Sequence, residues 1–265
     1  MKLFYREFGS GLPLVILHGL YGSSDNWVSI AKQLSHNFRV ILPDQRNHGL
    51  SPHSPDHSYQ ALAEDLKELC ISLSVDSFFL AGHSMGGKTA LKYAELWPED
   101  LMGLAVIDIS PFRAETDNNP IADFHLTVLN ELCSLNVSAL RSREEADIKL
   151  SEKIKSARIR SFLLKNLTRD NNSGFRLKLN PENLRANIRN IMDGIERDST
   201  PDDIIRGFPI KWLRAAESGY ITESDIGLIE MHYPSAEVIT IENSSHWIHA
   251  EQADRLVEIL FEFIE

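Results

Sequence analysis

The sequence predicts an α/β protein: a mostly parallel, eight-stranded sheet with helices on both faces and a helical cap inserted after the sixth strand. Three observations lead to this prediction. Apolar runs of strand length alternate with helical patterns up to about residue 111 and again from residue 207 to the end. Between these stretches the pattern is almost entirely helical. The length of 265 residues suits a single hydrophobic core.

Strand and helix patterns alternate regularly in the first 111 residues. Segments 2–8 and 12–17 flank Gly9-Ser10-Gly11 and predict a β-hairpin. Leucines spaced three and four residues apart indicate a helix over 59–73. The remaining predicted elements are strands at 38–43, 77–81 and 104–109, and a helix at 88–96 that Trp97-Pro98 ends.

The middle of the chain, residues 112–206, predicts a separate helical cap. Helical spacing occurs around 122–135, 144–154, 159–167 and 183–195, and only the short segment 175–179 resembles a strand. The alternation then resumes with strands at 209–215 and 238–241 and helices at 224–233 and 252–263. We therefore expect residues 1–111 and 207–265 to form the core. The cap should cover the carboxyl ends of the strands, where open α/β sheets bind ligands.

Composition and charge argue against several classes of function. The formal net charge is −11 and no block of Lys or Arg stands out, so we expect neither a nucleic acid nor an anionic membrane as partner. The first nine residues lack the apolar segment of a secretory signal, and no stretch reaches the roughly 20 apolar residues of a membrane span. Cys70 and Cys133 are expected to be buried thiols rather than a disulfide. These features predict a cytoplasmic protein without a membrane anchor, either a monomer or a homodimer.

Ser84 is the candidate nucleophile. It stands in Gly82-His83-Ser84-Met85-Gly86, which fits the pattern G-x-S-x-G. The apolar residues 78–81 run into this motif and good helix formers follow it. A nucleophile elbow requires this order of strand, turn and helix, and its flanking glycines let the backbone turn tightly. The alternative is a glycine-rich turn that carries an incidental serine.

A serine hydroxyl needs a base to take its proton, and His246 has the expected position for that base. It lies late in the chain, between the strand at 238–241 and the last helix. His249 is the competitor, for which a surface or capping role is expected. His18 and His83 adjoin glycine turns and are expected to pack or hydrogen-bond locally. No H-E-x-x-H or comparable spacing indicates a metal site.

The carboxylate that orients the histidine has two candidates. In this architecture it commonly follows the strand at 209–215, but Ser218 stands about where an aspartate is expected, with Glu217 beside it. Asp108 lies one strand earlier, at the end of an apolar run, where an unpaired carboxylate would be costly to bury. A histidine that becomes cationic would offset that cost. We favour Asp108 over a simple turn-capping role for it, and Glu217 is the fallback.

Acyl transfer also needs hydrogen-bond donors for the developing oxyanion. The backbone N–H of Met85, directly after the nucleophile, is one candidate. The N–H of Leu20, in the glycine-containing loop 18–23 after the second strand, is the other. The loop 44–51 follows a further strand, and we interpret it as a bracing network in which Asp44 pairs with Arg46 and Gly49 turns the chain.

With these residues assigned, the sequence resembles the α/β-hydrolase superfamily over essentially its whole length, and more narrowly the YbfF-type esterases. The matching segments are H-G-L-Y-G-S-S-D-N-W (18–27), D-Q-R-N-H-G-L-S-P (44–52), G-H-S-M-G-G-K (82–88), D-I-S-P (108–111), F-L-L-K-N-L (162–167) and S-H-W-I-H-A-E (245–251). The resemblance implies that the acid comes from the D-I-x-P position. It also implies cleavage of carboxylic esters, and in some members acyl-CoA thioesters, without a metal or organic cofactor. Two departures are Ser245 in place of a glycine and Ala215-Ala216 in place of a glycine pair.

The sequence thus predicts a serine carboxylesterase with a small-molecule ester, or possible thioester, as substrate. The triad would be Ser84, His246 and Asp108, working through an acyl-enzyme. Dehalogenases and epoxide hydrolases of this scaffold use an aspartate nucleophile, whereas the motif in this sequence contains a serine. A cap-bearing C–C bond hydrolase or lyase with the same triad, and a non-catalytic small-molecule receptor, remain as alternatives.

Overall fold

The computed structural model of the chain describes residues 1–112, 119–170, 174–195, 205 and 207–265. Within these residues the strands and helices follow the predicted alternation. The strands are β1 (Tyr5–Phe8), β2 (Leu12–Leu17), β3 (Phe38–Pro43), β4 (Phe78–His83), β5 (Leu101–Ile107), β6 (Leu167–Arg169), β7 (Phe175–Leu177), β8 (Ile210–Ala215) and β9 (Ala236–Ile241). The helices are α1 (Val28–Leu34), α2 (Tyr59–Ser72), α3 (Met85–Leu96), α4 (Pro120–Ser134), α5 (Arg143–Ser151), α6 (Ala157–Leu163), α7 (Pro181–Ala186), α8 (Ile188–Met192), α9 (Glu223–His232), α10 (Ile248–Glu251) and α11 (Ala253–Ile264).

The main sheet has the order β1-β3-β2-β4-β5-β8-β9, and all neighbours are parallel except β1 and β3. The predicted class is therefore confirmed. The predicted number of strands is wrong. Seven strands, not eight, form this sheet in the described part of the chain, and the helical insertion follows the fifth of them rather than the sixth. The predicted hairpin of segments 2–8 and 12–17 is also wrong. β3 lies between β1 and β2 and pairs with both, so Gly9-Ser10-Gly11 connects strands that are not neighbours.

Two apolar layers cover the faces of the sheet. Successive side chains of a strand point to opposite faces, so Phe78 and Leu80 join one layer while Phe79 and Ala81 join the other. The first layer includes α2, α3 and α9, and the second includes α1 and α11. All six residues of β4 are buried, as expected for a central parallel strand covered on both sides.

The segment between β5 and β8 is mainly helical, as predicted. Side chains of α4, α5, α6, α7 and α8 form one apolar cluster with residues from the main core, including Leu20, Tyr59 and Met85. The insertion therefore packs over the loops that leave the carboxyl ends of β2 and β4. The predicted boundary of the cap at residue 206 lies outside the described residues.

Two predicted elements of the insertion differ from the structure. The helix expected at 159–167 is α6, which ends at Leu163; a short 3-10 turn follows, and then β6 pairs antiparallel with β7. The single helix expected at 183–195 is two helices, α7 and α8. Asn180 caps α7 by accepting a hydrogen bond from the Asn183 N–H, and Pro181 occupies its first turn, so the helix starts earlier than apolar spacing indicates.

Candidate active site

Ser84 occupies the sharp turn between β4 and α3. Its backbone has φ 55° and ψ −121°, a conformation that L-residues rarely adopt. The turn is too crowded for side chains on its flanks: a Cβ on Gly82 would lie 2.2 Å from the Gly86 carbonyl oxygen, and one on Gly86 would lie 2.6 Å from the carbonyl oxygens of Leu17 and His18. The local geometry is that of a nucleophile elbow, with the serine held at the N-terminus of α3.

His246 lies in the loop between β9 and α10, and its ring is hydrogen-bonded to Asp108. The distance from His246 Nδ1 to Asp108 Oδ2 is 2.7 Å. Asp108 follows β5, has φ 49° and is completely buried. Its other oxygen, Oδ1, accepts a hydrogen bond of 3.0 Å from the Ala215 N–H. Because an ionised carboxylate only accepts hydrogen bonds, the proton of the neutral imidazole is placed on Nδ1, which leaves Nε2 as the basic nitrogen.

Ser84 and His246 line the same cavity. Within the described part of the chain the Ser84 hydroxyl makes no hydrogen bond to the His246 ring. In many enzymes such contacts shorten only when substrate binds. The structure thus joins His246 directly to Asp108 and places Ser84 beside them in one cavity.

The fallback acid is not at the site. Glu217 is exposed, and its backbone N–H donates to the Ser244 carbonyl oxygen. The hydroxyl of Ser218, at the position where an aspartate is common, accepts a hydrogen bond from the Tyr220 N–H. Of the two predicted acids, the structure brings only Asp108 to His246.

The other histidines near the motif are buried and serve as supports. His18 accepts a hydrogen bond from the Gln45 N–H at Nε2 and has Nδ1 2.9 Å from the Gly19 carbonyl oxygen. His83 donates from Nε2 to the carbonyl oxygen of His246, at 2.8 Å. Burial lowers the pKa of both rings. The expectation that these two pack and hydrogen-bond around the turn therefore agrees with the structure.

For His249 the expected surface or capping role is wrong. It is only 8% exposed and stacks on Trp27, with ring centroids 5.2 Å apart. Burial lowers the pKa of His249 to about 4, so the ring is neutral at pH 7. Sequence spacing indicated that it points away from the site, but the short helix α10 turns it back onto the 3-10 turn that contains Trp27.

The loop carrying His246 is tied to its surroundings through Ser245. Its backbone N–H donates to Glu251 Oε2 at 2.7 Å, and its hydroxyl also donates to the Glu251 carboxylate. Arg158 of α6 pairs with the same carboxylate. Burial alone would raise the pKa of Glu251, but the hydrogen bonds from Arg158 and Ser245 lower it. The serine that replaces the usual glycine thus links the loop of His246, through Glu251, to the insertion.

The two predicted oxyanion donors lie next to the nucleophile. Leu20, Met85 and Ser84 line one small cavity. In the described ranges neither the Leu20 N–H nor the Met85 N–H has an acceptor, whereas the adjacent Tyr21 N–H donates to His48 Nε2 at 3.2 Å. Among the described residues these two backbone donors are thus without an acceptor and line the same small cavity as Ser84.

The predicted pairing of Asp44 with Arg46 is wrong. Asp44 accepts hydrogen bonds from the backbone N–H groups of Ser24 and Leu50. Arg46 points to the other side and binds Asp65, with Nε 2.6 Å from Oδ2. The two side chains therefore brace different parts of the structure: Asp44 holds the 3-10 turn at Ser24 and its own loop at Leu50, and Arg46 holds α2. The predicted turn at Gly49 is present, with φ 58°.

The cavity above Ser84 has a volume of about 360 Å³ and a largely apolar wall. The lining residues that were not identified from the sequence include Tyr220, His125, Phe162 and Trp247. Phe162 of α6 and Trp247 stack edge to face with centroids 4.3 Å apart. The aromatic residue next to His246 was the one available signal, because aromatic side chains beside a catalytic motif commonly line its pocket.

The described ranges contain no group of three or more His, Cys, Asp or Glu side chains placed to hold a metal ion. No helix in them is long and apolar enough to cross a bilayer.

Comparison with known proteins places this geometry in a family. The α/β hydrolase fold family matches residues 13–253. The sn-1-specific diacylglycerol lipase ABHD11 of Danio rerio is 33% identical over 273 residues, which cover 100% of this chain and 83% of the lipase. Esterase YbfF of Escherichia coli (strain K12) is 27% identical over 256 residues, 95% of this chain and 92% of the esterase. A solved marine microorganism esterase has a TM-score of 0.93 and 41% identity, covering 99% of both chains. The resemblance seen in the motifs is confirmed, and the chain belongs to the α/β-hydrolase fold family.

Proposed function

We propose that this chain is a serine carboxylesterase that works through an acyl-enzyme on Ser84. The chain is an ester-bond hydrolase, since relatives named esterases and lipases match it over nearly its whole length. The finer assignment of roles rests on one observation above all. The buried Asp108 carboxylate is hydrogen-bonded to His246 Nδ1, and His246 shares an apolar cavity with Ser84.

In the proposed mechanism His246 Nε2 accepts the Ser84 proton while the hydroxyl oxygen attacks the ester carbonyl carbon. Asp108 keeps the ring in the required tautomer and stabilises the imidazolium that forms. The N–H groups of Leu20 and Met85 donate to the oxyanion of the tetrahedral intermediate. The alcohol leaves with the proton from His246. Water then attacks the acyl-enzyme by the same route, which releases the carboxylic acid and regenerates Ser84.

We also propose that the helical insertion acts as the cap of this site and shapes the acyl pocket. Residues of α4 and α6 supply apolar parts of its wall: Ile121, Phe124, Ile159, Phe162 and Leu163. A cavity of about 360 Å³ accommodates an acyl chain of moderate length or a comparable apolar alcohol group. Thioesters with the same acyl groups, and diacylglycerol esters as the name of the zebrafish relative suggests, belong among the substrates to be tested. The cytoplasmic location and the oligomeric state stay predictions.

The test combines labelling with a substrate series. A fluorophosphonate probe should label the wild-type protein and not Ser84→Ala, because the variant lacks the attacking oxygen. The ratio kcat/KM should then be measured for p-nitrophenyl esters and acyl-CoA thioesters with acyl chains of graded length. A folded wild-type protein that is neither labelled nor active on any ester would refute the esterase proposal. Such a protein would be a non-catalytic receptor, whereas labelling without turnover of any ester would point to C–C bond chemistry on the same serine.

A further inference from the structure

Tyr220 lies in the loop after β8, at the place where related architectures commonly carry the orienting acid. Its backbone is held from two sides: its N–H donates to the Ser218 hydroxyl, and its carbonyl oxygen accepts from the Ser110 N–H. Its ring lies parallel to the imidazole of His246, with centroids 3.7 Å apart and an interplanar angle of 13°. The proposed catalytic base therefore has a phenol ring against one face.

The hydroxyl of Tyr220 is bound by a residue of the insertion. His125 of α4 has its Nε2 2.9 Å from Tyr220 Oη, and its Nδ1 3.2 Å from Tyr21 Oη. Tyr21 also donates its single hydroxyl proton to the carbonyl oxygen of His125. The Nδ1–H of His125 must then donate to Tyr21, which leaves Nε2 as an acceptor for the Tyr220 proton. Burial lowers the pKa of His125 to about 3, so the ring is neutral and this arrangement holds at pH 7.

Among the described residues, the His246 ring has Asp108 as its charged hydrogen-bond partner and several neutral rings around it. The carboxylate of Asp108 binds Nδ1. His83 lies 4.7 Å away between centroids, and burial keeps the pKa of both His83 and His249 low, so neither adds positive charge at pH 7. Burial, reinforced by the nearby Asp108 carboxylate, raises the pKa of Tyr220, so the phenol stays protonated. A neutral aromatic face against an imidazole favours the cationic form of that imidazole, because the face of a ring carries negative partial charge.

We propose that Tyr220 is a positioning residue for the base: its ring holds His246 against Asp108 and stabilises the imidazolium, and its hydroxyl makes this support depend on α4 through His125. The inference rests on the proposed roles of Ser84 and His246. It adds that the insertion contributes to proton transfer as well as to the acyl pocket. It also gives the loop after β8 a role in catalysis although that loop does not supply the acid.

The test is the pH dependence of kcat/KM and of fluorophosphonate inactivation, whose acidic limb reports protonation of the base in the free enzyme. Tyr220→Leu and Tyr220→Met remove the aromatic face, whereas Tyr220→Phe keeps it and removes only the hydroxyl. In the first two variants the apparent pKa of the limb should fall by about 0.5 to 1 unit, because stabilisation of the cation is lost. Their kcat should fall by about 10- to 100-fold, more than KM rises, since a base held less precisely transfers its proton less efficiently.

In Tyr220→Phe the apparent pKa of the acidic limb should stay within about 0.3 units of wild type, because the stacked face remains. Its kcat should fall only a few-fold. His125→Phe should resemble it. Tyr93→Phe is the matched control, because it removes a buried phenol hydroxyl that donates to Asp100, away from the cavity. It should change neither the apparent pKa of the acidic limb nor kcat.

The inference is overturned if Tyr220→Leu and Tyr220→Met keep the wild-type pKa of the limb, whatever their kcat, because a ring that only fills space would behave in that way. Inactivation by the fluorophosphonate needs no ester to fit the pocket, so it separates an effect on the base from an effect on substrate binding. If the wild-type protein is not labelled at all, the proposed function itself fails. If the wild-type protein is labelled and its inactivation shows an acidic limb, the results for the Tyr220 variants bear only on the role of Tyr220.

Discussion

The sharpest prediction concerns Asp108, because the structure makes the substitution to asparagine almost isosteric. In Asp108→Asn the amide oxygen can replace Oδ1 as the acceptor for the Ala215 N–H, so we expect the fold to be kept. The amide nitrogen then faces His246 Nδ1, where Oδ2 lay at 2.7 Å. Since an amide nitrogen donates, the histidine is driven to carry its proton on Nε2, where it can no longer accept the proton of Ser84.

A wrong tautomer of this kind lowers kcat by about 10⁴-fold in a serine protease triad, which corresponds to about 5 kcal/mol in the activation barrier. We expect a loss of similar order here. The assay is the turnover of a p-nitrophenyl ester, normalised to active sites titrated with the fluorophosphonate, with Ser84→Ala as the background. Circular dichroism and the thermal midpoint Tm establish that the variant is folded.

Glu217→Gln is the matched control for this experiment. Its side chain is exposed and makes no hydrogen bond to His246 in the described part of the chain, so kcat should stay within about twofold of wild type. The reasoning is refuted if Asp108→Asn keeps kcat within tenfold of wild type. A collapse of activity in Glu217→Gln would identify Glu217 as the orienting acid.

Three further predictions test the fold and the pocket. Gly49→Ala should lower the free energy of unfolding by about 2 kcal/mol or more in urea titrations, because φ is 58° and a Cβ would lie 2.0 Å from Asp44 Oδ2. Gly227→Ala is the control and should not lower it, because there is open space around Gly227. Burial lowers the pKa of Lys88 to about 8 from 10.5, so the unfolded chain binds more protons than the folded one between these pH values. Wild-type stability should therefore rise as pH increases, by at most about 3.4 kcal/mol. Lys88→Met should lack that rise, and equal slopes for the two proteins would contradict the assignment. Phe162→Ala should move the preferred acyl chain to a longer one in the kcat/KM series, whereas a uniform loss across the series would show that Phe162 does not limit chain length.

Much of the fold followed from local patterns. The apolar run 78–81 and the helix formers after Gly86 predicted β4, the turn and α3. The hairpin at the start of the chain was predicted wrongly, because strand spacing along the sequence does not state which strands pair. In the structure β3 lies between β1 and β2 and pairs with both.

The insertion was harder to predict because its helices after α4 have only five to nine residues and their ends depend on caps. Apolar spacing located α4 and α6 but not the strand β6, which has only three residues and forms by pairing with β7. The side chains of Asp44 and Arg46 show the same limit at the scale of single residues. Their charges suggested a pair, yet Asp44 accepts hydrogen bonds from backbone N–H groups and Arg46 binds Asp65 of α2.

By itself the sequence determined the class of fold, the family and the four motifs that carry Ser84, His246, Asp108 and the loop of Leu20, since each depends on residues close together along the chain. Only the tertiary structure decided that Asp108 and not Glu217 contacts His246, that His249 is buried, and that Tyr220 stacks on the proposed base. The physical reason is that such contacts join residues far apart in the sequence, 138 positions in the case of Asp108 and His246. Parallel strands bring those ends to one edge of the sheet, and side-chain packing then selects which of the neighbours touch.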